Sequence, residues 1–121
     1  MKIKSYKDLI VWQKAFKLVK EIYIITNLFP KEELYGLVSQ MRRAAIAILS
    51  NIAEGFSRRH RKEYAQFLSI AFGSGAELET QILLSKDLYL APKENFKKSE
   101  ELLEEIMRML NVMLQKLKSS H

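Results

Sequence analysis

The sequence of 121 residues predicts an all-α protein, an antiparallel up-down-up-down four-helix bundle formed as a single domain over residues 1–121. Apolar residues recur at alternating steps of three and four along four long stretches, as expected for amphipathic helices. Only four Gly and two Pro occur, too few for the tight turns of an all-β fold. Because the breaks between the stretches are short, consecutive helices are expected to be antiparallel neighbours.

The first helix is predicted over about residues 5–27. Ser5 and Asp8 have the spacing of a capping box, which satisfies free N–H groups at a helix start. Two apolar seams follow, and we expect the seam that begins at Leu9 to face the chain's own core and the other to face a second subunit. The seams are Leu9-Trp12-Phe16-Val19-Tyr23 and Ala15-Leu18-Ile22-Ile25.

The second helix is predicted over about residues 31–55, with Pro30 and acidic residues at its first turn and Gly55 as its C-cap. One stripe is apolar and predicts the core. The other is small and polar. The two stripes are Leu34-Leu37-Met41-Ala44-Ile48-Ile52 and Gly36-Gln40-Arg43-Ala47-Ser50-Glu54.

Polar side chains at such spacing predict a structural network that joins helices or subunits, since buried polar groups need partners. The expected members are Gln40, Arg43, Ser50, Asn51 and Glu54, with Glu77 and Thr80 of the third helix. The alternative is a binding cleft. The small residues expected to permit close packing are Gly36, Ala47 and Gly73.

The third and fourth helices are predicted over about residues 62–89 and 93–118, separated by Ala91 and Pro92. Glycines in the segment 73–76 indicate a close helix crossing, because an interior glycine costs a helix about 1 kcal/mol. A hinge at this segment is the alternative. The core seam of the fourth helix is Leu103-Ile106-Leu110-Met113-Leu117.

The residues give little support for catalysis, so we expect no enzyme, metal, cofactor or small-molecule substrate. The chain has no cysteine and two histidines, and neither a Glu-x-x-His pair nor a phosphate-binding glycine motif is present. An oxygen cluster of Glu54, Glu77 and Glu79 is the remaining metal alternative. The longest uncharged stretch, residues 64–76, is too short to span a membrane. We expect a soluble, cytoplasmic protein.

Positive charge is concentrated in two segments of this chain of net charge +6. Residues 1–20 hold six lysines and one acid, and residues 57–65 hold four cations and one acid. Closely spaced cations favour phosphate binding, with a solvated face as the alternative. Aromatic residues occur only at the edges of the second run, which does not indicate base stacking. The candidate nucleic-acid contacts are Lys14, Lys17, Lys20, Arg58, Arg59, Arg61 and Lys62.

Six short motifs follow one another along the chain, and together they indicate a family resemblance that covers roughly residues 5 to 118. The motifs are DLIVWQKA (8–15), FPKEELYGL (29–37), QMRRAA (40–45), SNIAEG (50–55), FLSIAFGS (67–74) and ELETQ (77–81). In this order they resemble the bacterial four-helix bundle family found in intervening sequences of large-subunit ribosomal RNA genes. The small and polar residues of the resemblance are Gly36, Arg43, Ser50, Asn51, Glu54, Gly73 and Glu77.

The resemblance implies a homopentamer without established catalytic activity. It also implies a relation to the accessory protein of diversity-generating retroelements, which works with a reverse transcriptase and nucleic acid. Together with the charge pattern, this predicts a non-catalytic oligomeric scaffold that binds structured RNA or DNA largely independently of sequence. The alternative is an adaptor that docks a protein such as a reverse transcriptase without contacting nucleic acid.

Overall fold

The computed structural model describes residues 2–119, and four long helices account for most of them. They are α1 (Ile10–Thr26), α2 (Ser39–Phe56), α3 (Arg61–Asp87) and α4 (Lys97–Ser119). The described residues contain no strand. The predicted all-α class with four helices is therefore confirmed.

The predicted capping box is present, but it caps a short 3₁₀ turn, Tyr6–Asp8, rather than α1 itself. The Ser5 hydroxyl accepts a hydrogen bond from the Lys7 N–H at 3.1 Å, and the Asp8 carboxylate accepts one from the Ser5 N–H at 3.0 Å. Leu9 is extended, so the chain changes direction there and α1 begins at Ile10.

The second helix also begins later than the pattern predicts. Residues Lys31–Glu33 form a 3₁₀ turn, and Leu34–Val38 form a π-helical turn in which Gly36 departs from helical backbone angles. A π turn holds one more residue than an α turn, which shifts the register of the side chains that precede α2. As a result Tyr35 is 93% exposed.

The core is formed by the second seam of α1, not by the seam that we expected. Ala15, Leu18 and Ile22 are fully buried, whereas Phe16 is 46% exposed. Leu9, Trp12 and Val19 of the first seam are half-buried and pack against the core, but Phe16 and Tyr23 are exposed. The prediction that this seam is the main core side of α1 is therefore wrong. Both seams are apolar, so the positions of α2 and α4, which pack against α1, decide which seam is buried. The aromatic rings contact one another edge-on or at a tilt, with ring centroids 5.4 Å apart for Tyr6–Trp12 and 5.3 Å for Trp12–Phe16.

Each helix contacts its neighbour in the chain, and α1 also contacts α4. Two ion pairs connect α1 to α4. The Lys14 ammonium lies 2.9 Å from the Glu105 carboxylate, and Lys98 lies 3.4 Å from Glu21. These contacts close the four helices around one buried apolar cluster.

Two glycines mark close approaches between helices. Gly55 is buried, and an added Cβ there would lie 2.9 Å from the Cβ of Phe67. Because α2 continues to Phe56 and Ser57 is its C-cap, the prediction of a C-cap at Gly55 is wrong. An added Cβ at Gly75 would overlap the sulfur of Met107 on α4. The expected close crossing is confirmed at Gly75, and α3 continues without interruption through residues 73–76.

Candidate nucleic-acid interface

A cluster of cations forms where α2 ends, α3 begins and α4 ends. The structure joins the four predicted cations of residues 58–62, all exposed, to two lysines near the end of α4. One direct contact connects the two parts, because the Arg61 guanidinium donates to the Lys116 carbonyl oxygen at 3.2 Å. We call this cluster the basic end, which consists of Arg58, Arg59, Arg61, Lys62, Lys116 and Lys118.

The basic end contains an open groove of about 450 Å³ between α3 and α4. Its floor is partly apolar and its rim is cationic. The lining residues are Arg61, Lys62, Ala65, Gln66, Ser69, Leu117 and Lys118. Lys116 and Lys118 are not among the predicted contacts, although the expected alternation of helix directions places the end of α4 beside this loop.

The predicted cations of the basic end differ in how strongly the protein holds them. Arg58 lies 3.1 Å from the Glu54 carboxylate and its guanidinium carbon is 4.7 Å from the ring centre of Phe67. In contrast, Arg59 and Lys62 have no side-chain partner among residues 2–119. These two side chains can turn toward a phosphate without breaking an existing contact.

The lysines of α1 lie away from these residues. Lys14 is held by Glu105 on α4, and Lys20 lies 5.9 Å from the ring centre of Phe16. Lys17 is exposed and has no partner among the described residues. The seven predicted nucleic-acid contacts therefore fall into two groups, and only residues 58–62 form a dense cluster.

The predicted polar network does not join the helices of one chain. Asn51 and Thr80 donate to carbonyl oxygens of their own helices, those of Ala47 at 2.7 Å and Ala76 at 2.9 Å. The remaining members are exposed: Gln40, Arg43, Ser50, Glu54 and Glu77. The interpretation as a network between helices of one chain is wrong because these side chains face outward. A network between subunits stays a prediction.

The three residues expected to permit close packing have different surroundings. Ala47 is half-buried, and an added Cβ at Gly36 would make an ordinary contact, 3.5 Å from the Glu33 carboxylate. At Gly73 an added Cβ would meet nothing within 4 Å. Gly73 therefore permits no close packing inside this chain.

The two aromatic residues beside the basic end contact each other rather than presenting their ring faces. Phe56 and Tyr64 are half-buried and meet edge to face, with ring centroids 6.2 Å apart. Burial raises the pKa of the Tyr64 hydroxyl above its usual value. The geometry suits phosphate contacts better than stacking of bases.

The part of the chain that the structure describes contains neither a cluster of side chains suited to a metal ion nor a helix suited to a membrane. There, no three His, Cys, Asp or Glu side chains come close enough to bind a metal ion together, and His121 lies outside these residues. None of the four helices has the length and apolar character needed to cross a membrane.

These features define a small all-helical protein with one strongly cationic end. A family model described as 23S rRNA-intervening sequence protein matches residues 7–112. The chain belongs to this family, which confirms the resemblance seen in its motifs. A comparison with curated proteins gives no match.

Proposed function

We propose that this protein is a cytoplasmic, non-catalytic homo-oligomeric scaffold that binds structured RNA or DNA through its basic end, largely independently of sequence. The pentamer implied by the family resemblance is our expectation for its stoichiometry. The observation that carries the proposal is the convergence of six cations, two from the loop between α2 and α3, two from α3 and two from α4. Such a cluster gains affinity for phosphates mainly through release of counterions.

We also propose that the helices run up-down-up-down, which places all six cations at one end. The ion pairs between α1 and α4 support this arrangement. Lys14 pairs with Glu105, and Glu21, seven residues later, pairs with Lys98, seven residues earlier. Partners whose numbers change in opposite directions are expected of antiparallel helices. The contact of Arg61 with the Lys116 carbonyl oxygen supports the same arrangement for α3 and α4.

The first experiment is size exclusion coupled to light scattering at low and high salt, with absorbance recorded at 260 and 280 nm. We expect a particle of several times 14.1 kDa that loses nucleic acid as the salt concentration rises. A monomer without nucleic acid under all conditions would contradict the proposal.

A pair of variants tests the basic end directly. Replacing Arg59 and Lys62 by Gln removes two cations that have no partner among the described residues. The matched control replaces Lys31 and Lys97 by Gln as well, because these two exposed lysines lie at the end of the bundle opposite the basic end. For a duplex, the slope of log affinity against log salt should fall by about 0.9 for each lost phosphate contact. Equal slopes for the two variants would place the binding surface elsewhere.

One observation favours the second candidate, an adaptor for a protein such as a reverse transcriptase. A mostly apolar groove of about 590 Å³ lies between the N-terminal segment, α1 and α4. Ile3 and Ile10 are exposed beside Met109 and Met113. Grooves of this kind bind apolar side chains of partner proteins. Unchanged RNA retention after neutralising Arg59 and Lys62 would favour the adaptor.

A further inference from the structure

The outward side of α3 is itself partly apolar. Ile70 is 53% exposed and Leu84 is 47% exposed, although the opposite side of the same helix packs into the core. Between them lie Gly73, Glu77 and Thr80, all exposed and separated by alternating steps of three and four. We call these five residues the α3 ridge. A helix that is apolar on two sides usually packs on both.

A second surface, formed by α1, the π-helical turn and α2, has the opposite shape. It is an open groove of about 470 Å³ whose lining includes Tyr23, Tyr35, Ile46 and Arg43. Arg42 holds the groove wall in place, since its guanidinium carbon lies 4.3 Å from the ring centre of Tyr23 and its Nε donates to Thr26 at 3.0 Å. We call this surface the α1–α2 groove. Tyr and Arg are, with Trp, the side chains enriched among the energetically dominant residues of protein interfaces.

The ridge and the groove carry complementary charges that have no partner. Glu77 on the ridge and Arg43 on the rim of the groove are both exposed, and neither forms an ion pair or hydrogen bond among residues 2–119. Elsewhere the structure does pair neighbouring charges, as at Lys14 and Glu105. The apolar parts of the two surfaces also match, because the ridge presents Ile70 and Leu84 while the groove presents aromatic rings.

We propose that the α3 ridge of one copy occupies the α1–α2 groove of a second copy, with Glu77 of the ridge paired to Arg43 of the groove. This inference rests on the oligomeric part of the proposed function and specifies its interface. Because the ridge and the groove are different surfaces, the contact is head-to-tail, and repeating it closes a ring when the rotation permits. Gly73 then lies where the neighbouring backbone comes closest, which explains a glycine with open space around it.

Charge reversal tests the contact. Arg43→Glu and Glu77→Arg each place like charges at the interface, and each should raise the dissociation constant about a hundredfold, leaving a 14.1 kDa monomer in size exclusion with light scattering. The double variant restores opposite charges and should regain the wild-type mass. The matched control is Glu79→Arg, which makes the same charge change at an exposed position of α3 outside the ridge and should leave the mass unchanged. Circular dichroism verifies that each variant remains helical.

The outcomes separate this inference from the proposed function. A wild-type oligomer whose mass survives both reversals overturns the ridge-and-groove contact and leaves an oligomeric scaffold in place. Dissociation by both single variants without rescue by the double variant overturns the pairing of Glu77 with Arg43. A wild-type protein that is monomeric at every concentration overturns both proposals. Dissociation by each single variant, rescue by the double variant and an unaffected Glu79→Arg control support the contact.

Discussion

Two glycines separated by a single residue in α3 allow a sharp test of the packing. Gly73 has open space where a Cβ would be, and Gly75 faces Met107 on α4. Gly→Ala gains about 1 kcal/mol of helix propensity at either position. At Gly75 the new methyl group must displace the flexible end of the Met107 side chain, so we expect an overpacking cost at the low end of its usual range, about 1 kcal/mol. The propensity gain cancels when the two variants are compared.

We therefore expect Gly73→Ala to be more stable than Gly75→Ala by about 1 kcal/mol. With a urea m-value of about 1–3 kcal/mol/M, the unfolding midpoints followed by circular dichroism should differ by about 0.5 M. The comparison is made in the Glu77→Arg background, so that contacts between subunits do not contribute. Adding Met107→Ala should remove the extra cost of Gly75→Ala. Equal midpoints for the two glycine variants would refute the close approach of α3 and α4.

Four further substitutions test the core and two polar side chains that the fold buries wholly or in part. Leu18→Ala should lower the free energy of unfolding in urea by about 2–5 kcal/mol, because Leu18 is buried. Phe16→Ala should lower it by less than about 2 kcal/mol, because Phe16 is exposed. The reverse order would indicate that the first seam forms the core. Gln81 is 7% exposed and its Oε1 has no partner among the described residues. Gln81→Met should therefore stabilise the fold by about 1 kcal/mol in the same assay. A loss of stability would indicate a hydrogen-bond partner that the chain itself does not supply. Burial raises the pKa of Tyr64 above 10.0, so its contribution to stability is complete below about pH 10 and is lost as the pH rises through the folded-state pKa. Tyr64→Phe should remove this part of the alkaline destabilisation, which is measured as the free energy of unfolding against pH. Identical pH profiles for the wild type and the variant would contradict the expected effect.

Periodicity was sufficient to predict the four helices, because steps of three and four along a chain poor in Gly and Pro leave few other folds. It could not decide which side of α1 is buried. Both seams are apolar, and the choice depends on where α2 and α4 pack against α1, which is a property of the assembled core. The start of α2 was also beyond the pattern, since the π-helical turn at Leu34–Val38 preserves an apolar spacing that resembles an α-helix.

The candidate site was predictable only where its residues are neighbours in the sequence. The run of cations at residues 58–62 is local in sequence and could be seen directly, whereas Lys116 and Lys118 join it only through the packing of α4 against α3. Exposure was the other missing quantity. Arg43 and Glu77 have a spacing that fits either a buried network or a surface contact, and only the folded chain shows that both face outward.

The aromatic cluster on α1 has a spectroscopic consequence. Trp12 is the sole tryptophan of the chain and lies between Tyr6 and Phe16, so its emission reports how the N-terminal turn is seated on the first helix. Tryptophan emission that follows excitation of tyrosine depends on energy transfer from Tyr6, and it would fall if the N-terminal turn moved away from α1. The protein thus carries an intrinsic fluorophore beside its first residues, whose signal can be followed during a titration with nucleic acid without any label.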